Sequence, residues 1–440
     1  MEPFYHNVTQ VSDDICPSVQ PGTPSFSGYI GLKGDSKLAP KRSFFWYFEA
    51  EQSAQKAPII LTIGGGPGTS GLANPIMGQS HCRISENGVQ PNPHRWTEKF
   101  NLLALDHPIG VGFSYGQHVN NSREAAYDVY DFLQKFYRLY PHLASNQFVI
   151  SGGSYGGVYV PNIATVIHEQ NQAVAKGQGQ PGAIHINLES VMVSNPLSDP
   201  LSWFRWNLHY RCELSDVYNS TTCSEMYGLL PQCLESIEMA LQQSSVATRT
   251  AASDDCFKLL MGDTHGTVLE DVRKTCDTGS SIDCFPEFGW LNDFFHTDRT
   301  KWALGVPHHL NFTPVSTDID EEFSRYGDIF FPHHRLYEPL LEDGIRVLHH
   351  IGSQDASCGW PGVLSFLKLL RTSFQDEFLT TPDTPWPSKD NATITVRAVG
   401  PGAGNMTYLT YAGAGHFVVL NQPALTKHVV EHWILNIPFL

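Results

Sequence analysis

Short apolar runs that stop at turn residues punctuate the 440-residue chain. PIILTI (Pro58–Ile63), NLLALD (Asn101–Asp106), QFVISG (Gln147–Gly152) and LESVMV (Leu188–Val193) predict buried strands. Between the second and third of these, Ala126, Val129, Leu133, Phe136 and Tyr140 recur at three-to-four spacing. That spacing predicts a helix opening at Ser122 and stopped by Pro141. QFVISG runs straight into GSYGGVYVPNIATVI, which predicts a second helix, followed by a polar surface loop over Asn171–Gly182. Strands alternating with helices imply a mostly parallel α/β sheet. The pattern changes after Asn195-Pro196. Residues 197–320 carry short helical stretches and most of the cysteines, which predicts a disulfide-stapled helical insertion, or cap. Strand-like runs return at Ile345–Ile351, Ala392–Gly400 and Met406–Gly413, and a last helix is expected over Pro423–Leu435. The core is therefore read in two parts, 1–196 and 321–440, on either side of the insertion.

Composition narrows the setting. A net charge of −16 with no basic run disfavours nucleic acid and anionic membranes as partners. Nine cysteines are many for a cytosolic enzyme of this size, and no C-x-x-C spacing suggests a metal. Close-set cysteines without metal spacing read as disulfides in an oxidising compartment. Sequons at Asn7, Asn120, Asn219, Asn311, Asn391 and Asn405 agree with passage through the secretory pathway. The polar start, Met1–Gln10, is no signal peptide, so a leader removed from this numbering is expected. No apolar run approaches the ~18 residues of a membrane span.

One stretch raises a competing idea. ILTIGGGPGTSGLANP contains GPGTSG from Gly66, which fits the dinucleotide pattern G-x-G-x-x-G, and Glu86 stands near the spacing of a ribose-binding acid. A dinucleotide loop must open a helix, however, and Pro75 falls where that helix should continue. No G-K-[ST] follows, so a P-loop is excluded too. No cofactor is expected.

The chemistry points elsewhere. Gly152-Gly153-Ser154-Tyr155-Gly156 matches G-x-S-x-G between a predicted strand and a predicted helix, the context in which such a serine becomes a nucleophile. The helix N-terminus supplies N–H groups and positive partial charge where an oxyanion would form. Serine needs a base, and the base needs an orienting acid. Asp355 after the strand IRVLHHI and His416 after MTYLTYAG stand in the Ser…Asp…His order of an α/β-hydrolase. The adjacent pairs His308-His309, His333-His334 and His349-His350 read as surface or structural residues, because neighbouring side chains diverge.

Ten stretches then fall in one family's order: SGYIGL, RSFFWYFEA, GGGPGTSG, LLALDHPIGVGFSYG, SGGSYGGVYVPNIA, SNPLSDP, DVRKTCDTGSSIDCF, KWALGV, HIGSQDASCGW and GAGHFVVLNQP. Through them the chain resembles the serine carboxypeptidases and serine carboxypeptidase-like enzymes over nearly its whole length. The resemblance implies an α/β-hydrolase fold with a helical insertion. It implies Ser154 as nucleophile, His416 as general base and acid, Asp355 as orienting carboxylate, and the N–H groups of Gly66 and Tyr155 as oxyanion donors. It implies bridges Cys212–Cys223, Cys233–Cys256 and Cys276–Cys284, and a free thiol at Cys358 beside the site. The family's cysteine in the glycine loop is Thr69 here, so that bridge is expected to be absent, and Cys16–Cys82 is the remaining pairing.

The chain also departs from the family. The resemblance places Gly64 where carboxypeptidases use Asn, and Gly153 where they use Glu, to bind the substrate's free carboxylate. A further family Glu has no acidic counterpart in PIMGQSHC. Each lost hydrogen bond to an ion typically costs ~1.5–3 kcal/mol. Three readings follow. One is an acyl-serine enzyme acting on an ester, amide or modified peptide, by hydrolysis or acyl transfer. A second is a carboxypeptidase whose clamp uses other groups, such as Gln79. A third is a binding protein, or His-based chemistry without an acyl-enzyme. The substrate region is expected to include Gly64, Gly65 and Gly153. In WFRWNLHY, Trp203 and Trp206 are candidate walls for an acyl group, weighed against plain packing of the insertion on the core.

Overall fold

The computed structural model describes residues 3–276, 281–387 and 393–439. Its strands are β1 (His6–Val11), β2 (Ser25–Gly31), β3 (Lys41–Phe48), β4 (Ile59–Ile63), β5 (Cys82–Ser85), β6 (Gly88–Pro91) and β7 (Asn101–Leu105). Then come β8 (Tyr115–Gly116), β9 (Phe148–Gly153), β10 (Leu188–Ser194), β11 (Arg346–Gly352), β12 (Thr384–Pro387), β13 (Thr393–Val399) and β14 (Met406–Tyr411). Twelve strands form one sheet in the order β1-β2-β3-β7-β4-β9-β10-β11-β14-β13-β12, with β8 on β3, while β5 and β6 make a separate hairpin. From β7 to β14 the central strands run parallel. Antiparallel strands flank them on both sides. The expected parallel centre is present.

The antiparallel N-terminal strands leave a weaker imprint. β1, HNVTQV, is largely exposed, and the buried half of β3, SFFWYF, has no alternation to separate strand from helix.

The first helix, α1 (Ser122–Leu139), is capped by the Asn121 side chain, which accepts from the Glu124 N–H. The second, α2 (Gly156–Ala175), runs five residues into the segment expected to be loop, because Asn171–Ala175 continue its hydrogen-bonded turns. Between β10 and β11 lie α3 (Pro200–His209), α4 (Ser220–Gln242), α5 (Val246–Cys256), α6 (Pro286–His296), α7 (Asp298–Ala303), α8 (Thr317–Tyr326) and α9 (Tyr337–Glu342). The chain closes with α10 (Trp360–Lys368), α11 (Gln375–Thr380), α12 (Val418–Asn421) and α13 (Pro423–Ile434). Apolar side chains pack on both faces of the sheet in two clusters, one around α1 and α2, the other around Trp46, Trp96 and Trp433. Disulfides join Cys16 to Cys82, Cys212 to Cys223, Cys233 to Cys256 and Cys276 to Cys284, and Cys358 is a buried free thiol. No helix among the described residues is long and apolar enough to cross a membrane.

Candidate active site

Ser154 sits on the turn between β9 and α2 with φ of 58°. A non-glycine residue adopts this left-handed conformation only when its surroundings hold it. Three backbone bonds do so: the Ser154 N–H donates to Ser194 O, and its carbonyl accepts from the N–H groups of Gly157 and Leu197.

His416 follows β14, and its Nδ1 lies 2.6 Å from Asp355 Oδ2. An ionised carboxylate only accepts, so Nδ1 carries the proton and Nε2 is left with a lone pair free to accept one. Asp355 is fully buried. Its Oδ1 accepts from the N–H groups of Ser357 (2.7 Å) and Cys358 (3.1 Å), and its Oδ2 also accepts from Asn195 Nδ2 (2.7 Å). Burial works against the imidazolium of His416, but the charge and hydrogen bond of Asp355, with the Glu270 carboxylate, outweigh it and raise the pKa. Burial, followed by the charge of Asp355, pushes the Cys358 thiol well above its ordinary range; Ser154 is one of its hydrogen-bond partners. The thiol therefore stays protonated.

The glycine loop packs directly onto this turn. A Cβ on Gly65 would lie 2.6 Å from Gly153 O, 2.9 Å from Ser154 Cβ and 3.2 Å from the Tyr155 N. Only glycine lets the loop backbone come so close to Ser154. The same holds for Gly64, whose Cβ would stand 2.0 Å from the Thr69 carbonyl oxygen. At Gly153 the nearest atom, Ser194 Oγ, is 3.1 Å away.

Ser154, His416, Gly64, Gly65, Gly66 and Gly153 all border one cavity of about 420 Å³. Met77, Trp96, Phe288, Phe417, Val418, Val419 and Leu420 give it apolar walls. No Lys or Arg occurs among its described lining residues; its carboxyls are Glu270 and Asp320. Gln79 is 6% exposed and borders the cavity, and its Oε1 has no hydrogen-bond partner. Glu270 Oε2 is likewise unpartnered. His350, taken from the sequence as surface or structural, lines the cavity as well, and burial lowers its pKa to about 4, leaving it neutral.

Trp203 and Trp206 do not line this cavity, which corrects their candidacy as an acyl wall. Helix α3 and the turn after it, Tyr210–Leu214, instead grip the loop that carries Asp355. Trp203 Nε1 and Asn207 Nδ2 donate to Ser357 O, Tyr210 Oη donates to Ser353 O, and Arg211 Nε donates to Ala356 O. Trp206 stacks edge-on to His209 and lies near Gly362 of α10. The aromatic segment thus braces the acid from behind. Asn195 was not singled out from the sequence; its signal was its place in SNPLSDP, directly after a central strand.

Asn7, Asn120, Asn219 and Asn311 are exposed, Asn405 is half-buried, and Asn391 lies outside the described residues. Among the described residues no group of three or more His, Cys, Asp or Glu is arranged to hold a metal.

Comparison with known proteins agrees with this geometry. The serine carboxypeptidase family matches residues 17–436. A carboxypeptidase Y homolog A from Arthroderma otae is 30% identical over 425 residues, covering 94% of this chain and 75% of the relative. Carboxypeptidase Y from Komagataella phaffii is 31% identical over 422 residues, covering 94% and 76%. The crystal structure of Kex1(delta)p, a prohormone-processing carboxypeptidase from Saccharomyces cerevisiae, shares the fold with a TM-score of 0.81 at 20% identity, covering 97% of this chain and 95% of that one. The chain belongs to the serine carboxypeptidase family and has its α/β-hydrolase fold.

Proposed function

We propose that this protein is a serine hydrolase that forms an acyl-Ser154 intermediate from esters, amides or modified peptides whose leaving group carries no free carboxylate. Ser154 Oγ attacks the carbonyl carbon as His416 Nε2 takes its proton. Asp355 holds the imidazole in the tautomer this requires and stabilises the imidazolium. The oxyanion forms against the N–H groups of Gly66 and Tyr155, each donor worth typically ~3–4 kcal/mol of barrier. His416 returns the proton to the leaving atom, and water or another acceptor then releases the acyl group.

The observation that carries the substrate reading is the cavity's polar lining. A carboxylate needs donors or cations, and none of the described lining residues is Lys or Arg. Among the cavity's described lining residues the unpartnered buried atoms are two acceptors, Gln79 Oε1 and Glu270 Oε2, and one donor, Trp96 Nε1, which carries no charge to match a carboxylate. Asn cannot occupy position 64 in this backbone, because the Thr69 carbonyl fills the space its Cβ would need. The cavity's two carboxyls, Glu270 and Asp320, offer a carboxylate no positive charge.

Carboxypeptidase action is the second reading. It is favoured by the named relatives and by the hydroxyls of Thr69 and Ser194, which also border the cavity. N-blocked dipeptides assayed beside their amides and methyl esters separate the two. The proposal expects the blocked forms to be preferred in kcat/KM by at least about 10-fold, one lost hydrogen bond to an ion. Equal or better turnover of the free acids would establish the second reading instead. Four disulfides support an oxidising compartment. Together with the four exposed sequons, they support secretion or delivery to a vacuolar or lysosome-like compartment, with glycans at those sites.

A further inference from the structure

Tyr155 has two ends with different tasks. Its backbone N–H faces the glycine loop, while its ring is buried and its hydroxyl donates to Asp328 Oδ2 at 2.9 Å. Asp328 is far along the chain, on the turn after Gly327 at the end of α8, and is only 2% exposed. Its carboxylate accepts from both the N–H (3.1 Å) and the hydroxyl of Ser122, the first residue of α1. No Lys, Arg or His side chain pairs with it among the ion pairs of the described residues. Three donors and the N-terminal end of an 18-residue helix hold the charge instead. The turn is pinned in its own right: His333 Nε2 donates to Asp328 O at 2.7 Å, and Asn162 of α2 fixes that imidazole through Nδ1 at 3.0 Å.

A buried carboxylate is costly unless its partners are fixed, and this one is tied to the start of α1 and to Tyr155, the N-cap of α2. The main-chain carbonyl of Asp328 adds a further link, through His333, to the first turns of α2. These are the elements that set where the Tyr155 N–H points. Oxyanion stabilisation depends on donors fixed before the reaction, so a donor that can drift loses much of its effect.

We infer that Asp328 is a positioning residue for the oxyanion hole, acting through the Tyr155 hydroxyl to fix the Tyr155 N–H relative to Ser154. Asp328 does not touch the substrate. This inference rests on the acyl-Ser154 reading above.

Tyr155→Phe, Asp328→Asn and the double variant test it. Rates on an N-blocked amino acid methyl ester are divided by the number of sites that a fluorophosphonate labels to completion. Affinity for a peptidyl boronic acid, whose tetrahedral adduct fills the oxyanion hole, is measured in parallel. Each single variant is expected to lose about 10-fold in kcat/KM per labelled site, less than the ~10²–10³ lost with a whole oxyanion donor. Boronate affinity should fall by the same factor while KM moves by less than about two-fold, since the interaction is made in the transition state. The double variant should be no more than about two-fold worse than the poorer single, because both remove one bond.

A merely structural role would reduce the labelled fraction and leave turnover per labelled site, and boronate affinity, intact. That result overturns the inference, as do single variants within about two-fold of wild type. If Asp328→Asn does not fold, Tyr155→Phe decides alone, since it removes one hydroxyl and leaves both Ser122 bonds to Asp328. If the wild type does not label, the acyl-Ser154 reading falls and this inference with it. If the wild type labels and the variants behave normally, only this inference falls.

Discussion

Asn195 Nδ2 donates to Asp355 Oδ2 at 2.7 Å, the oxygen that also accepts from His416 Nδ1. Asn195 Oδ1 meanwhile accepts from the Gly352 N–H, so one amide ties the end of β10 to the end of β11 and to the acid. The bond exists because Asn195 has φ of 42°, which turns its side chain back across the strand ends. Asn tolerates that conformation better than most residues.

Removing the amide should therefore separate two effects. Asn195→Gly keeps the backbone free to adopt positive φ and deletes only the side chain. Asn195→Ala deletes the same bonds and adds strain. Both should lose roughly 10–100-fold in kcat/KM, the ~1.5–3 kcal/mol of a hydrogen bond to a charged group. Thermal denaturation should rank alanine below glycine. Wild-type turnover in the glycine variant would show that Asn195 does not act through Asp355, and equal stability of the two variants would refute the strain at φ of 42°.

The raised pKa of His416 fixes the direction of the acid limb. Catalysis needs the neutral imidazole, so kcat/KM should fall as pH drops through a midpoint above the ordinary histidine value of 6.5. Glu270 contributes to the shift, so Glu270→Gln should move that midpoint to lower pH without abolishing turnover. By linkage, the same raised pKa stabilises the fold below the unfolded-state pKa, and that contribution is lost as pH rises through the folded-state pKa. A pH–rate profile of both proteins decides; a Glu270→Gln midpoint unchanged or raised contradicts the electrostatic account.

Placing asparagine at position 64 should fail for a steric reason. Gly64→Ala puts a methyl group 2.0 Å from the Thr69 carbonyl oxygen, whereas Gly153→Ala meets Ser194 Oγ at 3.1 Å. Overpacking typically costs ~1–3 kcal/mol, and the first contact is with backbone. Gly64→Ala should thus lower the melting temperature more than Gly153→Ala. Gly64→Asn should gain no activity on free-acid dipeptides. A stable Gly64→Asn variant with new exopeptidase activity would refute the claim that the Thr69 carbonyl leaves no room for a side chain at position 64.

Trp203 gives a check on α3. Trp203→Phe keeps an aromatic ring but removes the donor to Ser357 O. Stability should fall by ~0.5–1.5 kcal/mol and kcat should drop, while the ranking of acyl substrates stays the same. A changed ranking would return Trp203 to the substrate site.

Much of the site was legible because it is written in local motifs. Ser154, Asp355 and His416 each follow a central strand, and glycine spacing marked the loop that packs on Ser154. Asn195, Asp328 and His350 were not legible in local motifs. Asn195 and Asp328 act through side-chain directions set by positive-φ turns at Asn195 and Gly327, and those turns link segments more than 150 residues apart. His350 alternates with His349 along β11, and nothing local tells which of the two faces the cavity. Trp203 and Trp206 illustrate the converse: aromatic spacing showed that α3 packs, but not that it packs against the acid loop.

The most direct test of the central claim is tryptic mapping of protein quenched during turnover of an N-blocked amino acid ester. An acyl adduct should appear on the peptide containing Ser154, accumulate in His416→Ala if acylation still occurs slowly, and be absent from Ser154→Ala, which should fold normally and turn over no substrate. Full turnover by Ser154→Ala, or an adduct on another residue, would contradict the acyl-Ser154 mechanism.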